Sequence, residues 1–390
     1  MHSGVLAVTR REIGRVRHDR YAAVLLVILP LLTFAVLVSI FRAGVPRDLP
    51  IVVVDQDHTA LSRQLTRMTD AAPATRVAGV APDLEAARAR ILRNEAYAVL
   101  FIPADLERDV RRREAPAVVA YYNSQILLPA SLIKRDLRAV TATLSAGLEI
   151  KVRELSGEPP QAAMAHVEPI RLDAHTLFNP QLSYVYYLVT ALLPTALQIF
   201  IMLGTVNTLG VELKEGTAGD WMKAAGNAGW RATAGKLLPY TVYFGLLATL
   251  MLAWLFRWLG VPLRGHVGVI VASTVLFVAG YQAVGLLVTA WLANLRLATS
   301  ATAFYSAPAF AFVGVTFPTI GMPVIGRVWG ELLPLTHYVR VLVDQGLRGA
   351  PAAVSLPSVA ALGVFVLVPT IVSIGRMGRV AADGRYWGRL

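Results

Sequence analysis

The ten residues Val211-Glu212-Leu213-Lys214-Glu215-Gly216-Thr217-Ala218-Gly219-Asp220 combine acids and turn formers in an order suited to mechanical work rather than to catalysis. Glu212 and Glu215, three apart, share one face of a helix. Gly216 can take the left-handed conformation that closes a helix, and Thr217 with Asp220 gives a Thr-x-x-Asp start for the next. The pattern predicts a helix, a sharp turn and a short second helix that carries Trp221 and ends near Gly226. Such a rigid, acid-rimmed elbow can take a push from a partner and pass it along the preceding helix. The alternative is a loop whose charges only keep it in water.

Other chemistry finds little footing. Gly229-Trp230-Arg231-Ala232-Thr233-Ala234-Gly235-Lys236-Leu237 approaches a phosphate loop, but five residues separate its glycines and leucine stands where a hydroxyl must hold magnesium. Any ATP used must therefore bind another chain. His2, His18, His58, His166, His175, His266 and His337 show no metal-binding spacing. Ser124, Ser131 and Ser306 lie near no base or nucleophile elbow. With no cysteine in 390 residues, disulfides, thiolate metal sites and cysteine nucleophiles are all excluded. No cofactor is expected on this chain.

The elements that would position the elbow are apolar and long. Tyr21–Phe41, Gln181–Val211, Leu237–Phe256, Val267–Leu295, Leu297–Gly326 and Ala350–Gly375 contain no Asp, Glu, Lys, Arg or His. Each reaches the roughly 20 residues that cross about 30 Å of hydrocarbon at about 1.5 Å per residue. Carriers coupled to proton or sodium gradients usually keep ionisable groups inside their spans, so this pattern lowers that reading. Arg10, Arg11, Arg15, Arg17 and Arg20 precede the first window, and Arg376, Arg379, Arg385 and Arg389 follow the last. Basic flanks favour the cytoplasm, which puts both termini and the 212–236 loop inside. The net charge of +12 is then orientation and attraction to anionic lipid, not nucleic-acid binding. In the fifth window Pro318 and Pro323 predict that the straight span stops before Pro318, with an outer re-entrant segment over 318–349. Tyr184, Tyr187, Phe200, Asn207, Phe304, Phe310 and Phe312 are candidates to line a pathway for an amphiphile; lipid-facing packing explains them equally well.

Between the first two windows, residues 42–180 carry 18 Lys/Arg and 17 Asp/Glu, the balance of a water-exposed domain. Leu49–Val54, Tyr97–Ile102 and Ala117–Tyr122 read as strands. Pro82-Asp83 starts a helix bearing Leu84, Ala87 and Ile91, and Ser131–Glu154 forms a long helix closed by Ser156-Gly157 and Pro159-Pro160. Residues 1–20 suit an amphipathic helix on the inner surface, with an unstructured basic flank as the alternative. The expected fold is a mainly α membrane protein. It has six transmembrane helices (the first over 21–41, the other five within 181–375), a periplasmic α/β domain over 42–180 and a cytoplasmic tail over 376–390.

The chain resembles the permease subunits of type-2 ABC transporters, in the exporter branch with a large outer domain. The likeness is carried by Arg10-Arg11-Glu12, Arg17-His18-Asp19-Arg20 with Leu29-Pro30, Leu49–Asp57, Ala98–Pro103 and Phe178-Asn179-Pro180. It continues through Glu212–Thr217, Phe317-Pro318, Met322-Pro323, Leu333–His337 and Arg348-Gly349, in family order. The resemblance implies a coupling helix near 213–225 that docks on a cytoplasmic ATPase, with ATP and magnesium on that partner. Glu212, Lys214, Glu215, Gly216, Thr217, Asp220 and Trp221 inherit the coupling role. It also implies a dimer of like or unlike permeases in a bacterial inner membrane, exporting a hydrophobic or amphiphilic compound, in many cases with a periplasmic adaptor and an outer-membrane channel. The rivals are a gradient-driven multidrug carrier or channel, and an intramembrane enzyme or scaffold.

Overall fold

A computed structural model of the chain describes residues 4–20, 24–112, 114–155 and 177–388. The expected turn into the membrane at Tyr21 and the helix stop at 156–160 lie outside the described residues, as do His2, His166, His175 and Arg389. Contacts divide the chain into two compact units, Met1–Gly44 with Ser183–Leu390, and Val45–Leu182.

The first unit begins with α1 (Val5–His18), whose buried positions are Val8 and Glu12. Next comes α2 (Val24–Phe41), which opens on a widened π turn.

The Val45–Leu182 unit is built on β1 (Leu49–Asp55), α3 (Ala60–Asp70), β2 (Thr75–Val80), α4 (Leu84–Leu92), β3 (Ala98–Ile102), α5 (Leu106–Arg111), β4 (Val119–Tyr122) and α6 (Leu127–Leu155). The sheet order is β2-β1-β3-β4, parallel except for β4. Ile51, Val52, Val53 and Val54 are fully buried, as a central parallel strand covered on both faces requires. Each such side chain contributes about 1.5–3 kcal/mol through burial. One face packs on α3 and α6 through Leu65, Leu132 and Ile133; the other meets Ala87 of α4. Asp83 caps α4 by accepting the Ala86 N–H at 2.8 Å. Strand β2 and helix α3 were not anticipated. Arg76 and Gly79 interrupt the apolar alternation of β2, and α3 is capped by Thr59 and Ser62 rather than by an acid at its third position.

The first unit resumes with α7 (Val185–Lys214), α8 (Ala218–Ala224), α9 (Gly229–Trp258) and α10 (Val267–Leu292). It continues with α11 (Leu295–Ser306), α12 (Ala309–Phe312), α13 (Val324–Glu331), α14 (Pro334–Leu342) and α15 (Ala352–Ala382). Helices α2, α7, α9, α10 and α15 are long and apolar enough to cross a membrane. The fifth predicted window is not one of them. Helix α11 stops at Ser306, ahead of Pro308 rather than Pro318, and its 12 residues reach only about 18 Å. Proline removes an N–H and collides with the previous turn, and the side-chain amide of Gln198 on α7 donates to the Ser306 carbonyl at 3.1 Å where the helix ends. Residues 318–349 form short helices; Tyr338 of α14 stacks on Phe277 of α10 with ring centres 4.3 Å apart.

Two sets of contacts mark the ends of this helical unit. At one end the Gly4 N–H donates to the Ala224 carbonyl and the Gly388 N–H to the Leu213 carbonyl, both at 2.9 Å. Leu295, which starts α11, packs on Gly210 near the same end. At the other end the loop before α10 pairs with the π-helical turn Val343–Arg348 that follows α14: the Gly265 N–H donates to the Gln345 carbonyl at 2.7 Å.

Candidate functional site

The predicted elbow is formed by the end of α7, Gly216 and α8. The Glu215 N–H donates to the Val211 carbonyl at 2.8 Å, and the Thr217 N–H to the Glu212 carbonyl at 3.0 Å. Gly216, at φ 71, takes the left-handed turn that reverses the chain. Helix α8 then ends through Gly226 and Asn227, both at positive φ.

The two glutamates part company here. Glu215 is exposed just past the last helical residue, whereas Glu212 is fully buried, so the expected shared acidic rim does not exist. Glu212 instead joins a network drawn from α1, α7 and α9. Arg11 grips its carboxylate as a fork, at 2.5 and 3.0 Å, and Lys236 Nζ donates to the same group at 2.7 Å. The Thr217 hydroxyl donates to it as well, and so makes no capping bond to α8, contrary to the Thr-x-x-Asp expectation. Lys236 also pairs with Glu12, which accepts from Arg15 at 2.7 Å and from the Tyr240 hydroxyl at 2.7 Å. Every carboxylate oxygen of Glu12 and Glu212 thus has two donors.

Lys236, Glu212 and Glu12 are no more than 1 % exposed, whereas Arg11 and Arg15, at 28 % and 21 %, reach partly into solvent. Burial raises the Glu12 carboxyl, but the Lys236 ammonium and the Arg15 guanidinium outweigh it and hold the group below the ordinary carboxylate range. Lys236 also lies 5.5 Å from the centre of the Trp221 ring. Trp221 is fully buried and its indole N–H donates to the Ala232 carbonyl at 3.0 Å. The close seating of α1 depends on Gly235: a Cβ there would stand 2.5 Å from the Val5 carbonyl oxygen. The Thr9 hydroxyl donates to the Gly235 carbonyl at 2.8 Å. From the tail, Trp387 rests against Gly219.

The elbow therefore has a locked inner face and a free outer one. Lys214, Glu215, Asp220 and Lys223 are exposed on the outer face, with Asp220 and Lys223 3.5 Å apart. Of the residues assigned to coupling, Lys214, Glu215, Gly216 and Asp220 are available to a partner; Glu212 and Trp221 are interior, and Thr217 is half-buried and tied to Glu212.

Glu12, Arg11, Arg15, Lys236 and Tyr240 were not anticipated as members of a site. One signal existed: Lys236 is a lone cation one residue outside an apolar window, four before Tyr240 on the same helical face. The run from Gly229 to Leu237 is the start of α9, and its glycine spacing serves helix packing. Of the seven pathway candidates, Phe200, Phe310 and Phe312 pack against the same buried helical core. Tyr184 packs on Phe41, Phe312 on Gly330, and Phe304 pairs with Trp329 while 76 % exposed. Tyr187 is exposed, and Phe200, Asn207 and Phe310 are half-buried.

The family described as "ABC-2 family transporter protein" matches residues 22–374. Over 176 residues the chain is 23 % identical to the "Probable multidrug ABC transporter permease YbhR" of Escherichia coli strain K12, and equally to that of strain O157:H7. The alignment covers 44 % of this chain and 47 % of each relative, so it spans about half the length of the curated relatives.

Proposed function

The chain belongs to the ABC-2 transporter family, and on that premise we propose that it is the permease subunit of an ATP-driven exporter whose ATPase docks on the elbow between α7 and α9. The observation that carries this reading is the exposed outer face of α8 on an elbow clamped from within by Arg11, Glu212 and Lys236. A push on Glu215, Asp220 or Lys223 cannot dissipate locally, because the buried ion pairs tie the elbow to α1 and α9. It tilts α7 as a unit and biases a two-state pathway. ATP and magnesium belong to the partner.

The same contacts support six crossings. Both termini hydrogen-bond the elbow, so an even number of passes separates each from it. Helices α2 and α7 supply two before the elbow; α9, α10 and α15 supply three after it, and the broken α11–α12 segment supplies the fourth. Residues 318–349 return into the outer leaflet as a re-entrant segment. On this reading both termini are cytoplasmic, Val45–Leu182 is periplasmic and the protein lies in a bacterial inner membrane; the arginine-rich flanks support it. A six-span chain forms half a pathway, completed by a second permease, with an adaptor and outer channel beyond it. The YbhR relatives, named as multidrug permeases, favour a hydrophobic or amphiphilic cargo.

Affinity purification of the tagged chain from native membranes tests the assignment. It is expected to bring an ATP-binding cassette subunit in near-equal amount, with ATPase activity that rises on adding amphiphilic compounds. Transport by the chain alone, driven by an ion gradient with no ATPase attached, would instead establish the carrier reading.

A further inference from the structure

On the second unit, helix α4 is too short to cover the sheet face it sits on. Its nine residues bury Ala87 over Val52, Val54 and Val99, but β4 lies beyond its reach. Tyr121 of β4, paired in register with Val99, is left 53 % exposed, and Leu92 at the end of α4 is 69 % exposed. Between them runs an open furrow of about 670 Å³, bordered by Leu84, Arg88 and Leu92 of α4 and by Tyr121 and Gln125, with Asn94 and Asn123 also in its lining. That volume falls within the roughly 300–1,000 Å³ of small-molecule sites, and an apolar lining with a few polar groups is their usual composition.

The charge of the furrow selects its ligand. Arg88 is the one charged residue of the lining, and it stands one helical turn before Leu92, on the same face. Its neighbours Arg90 and Arg93 both pair with Glu95, whereas Arg88 pairs with no carboxylate among the described residues. A planar guanidinium beside an apolar furrow with no acid in its walls matches a molecule with one anionic head and an apolar body.

We propose that this furrow binds a small amphiphilic carboxylate, its head forked on Arg88 and its chain laid between Leu92 and Tyr121. This site is independent of the transport reading and does not require the ligand to be the exported compound.

The test uses the full chain in nanodiscs of zwitterionic lipid and a diazirine-bearing dodecanoate, with labelled peptides located by mass spectrometry. Labelling is expected within 84–92 and 121–125, to be competed by plain dodecanoate, and to be competed at least tenfold less well by dodecanol. Arg88→Glu and Leu92→Asp, both at exposed positions that leave the core intact, should each lower it at least tenfold. Labelling confined to the apolar helices, equal competition by dodecanol, or an unchanged Arg88→Glu protein would overturn the proposal. So would a covalent dimer formed through a photoreactive residue at position 92, since a second copy would then occupy the furrow.

Discussion

Glu212→Met, which exchanges a buried carboxylate for an apolar chain of similar length, is expected to cost about 3–5 kcal/mol of stability, the usual penalty for breaking a fully desolvated ion pair. The substitution removes the Arg11 fork, one of the two carboxylate partners of Lys236 and the acceptor of the Thr217 hydroxyl. It leaves Arg11, Arg15 and Lys236 facing Glu12 alone. Arg11, 28 % exposed, can turn to water, but Lys236 at 0 % cannot. The double variant Glu212→Met/Lys236→Met should therefore recover part of the loss, with a coupling of about 0.5–3 kcal/mol for residues sharing one network. Unfolding of the purified protein by graded SDS, read through tryptophan fluorescence, measures both. A Glu212→Met protein within about 1 kcal/mol of the parent would show that the network is not what clamps the elbow.

Three residues on, the same amino acid predicts the opposite pairing of effects. Glu215→Lys reverses a charge on the exposed outer face and should change stability by less than about 0.5 kcal/mol, as surface substitutions usually do. If the elbow receives its push from an ATPase, the reversal should lower compound-stimulated ATP hydrolysis and export at least tenfold, equivalent to about 1.4 kcal/mol at the docking contact. The measurement is ATPase and transport in proteoliposomes holding the permease and its partner. A folded variant with both activities unchanged would remove Glu215 from the docking surface. Together the two glutamates separate holding the elbow from contacting it.

Which parts of this were legible from sequence follows from what each signal depends on. The long helices were readable because crossing hydrocarbon demands a continuous apolar run, a property of local composition alone. Gly216 was readable because a left-handed turn after a helix has a local cause, and Asp83 because a cap acts over three residues. The fifth window misled because its apolar composition is continuous while its backbone is not. The break falls at Pro308, and the carbonyl exposed there is satisfied by Gln198, some 108 residues distant in sequence. The ion network was hidden for the same reason. Glu12 is one acid within a basic stretch, and its bonds to Lys236 and Tyr240 span 224 and 228 residues. Lys236 stands one residue outside an apolar window, where a cation usually meets water, and composition offered no reason to bury it. Charges paired across distant segments leave no local periodicity, so only the packing of α1 on α9 at Gly235 brings them together.

The absence of cysteine allows the central claim to be tested with a single introduced thiol. Asp220→Cys places it on the outer face of α8, at a side chain 73 % exposed. A membrane-impermeant maleimide applied to inside-out and right-side-out vesicles then reports which side of the membrane the elbow faces. An elbow on the cytoplasmic side gives labelling only in inside-out vesicles, and protection of the thiol when the partner ATPase is bound. Labelling of Asp220→Cys from the periplasmic side would contradict it.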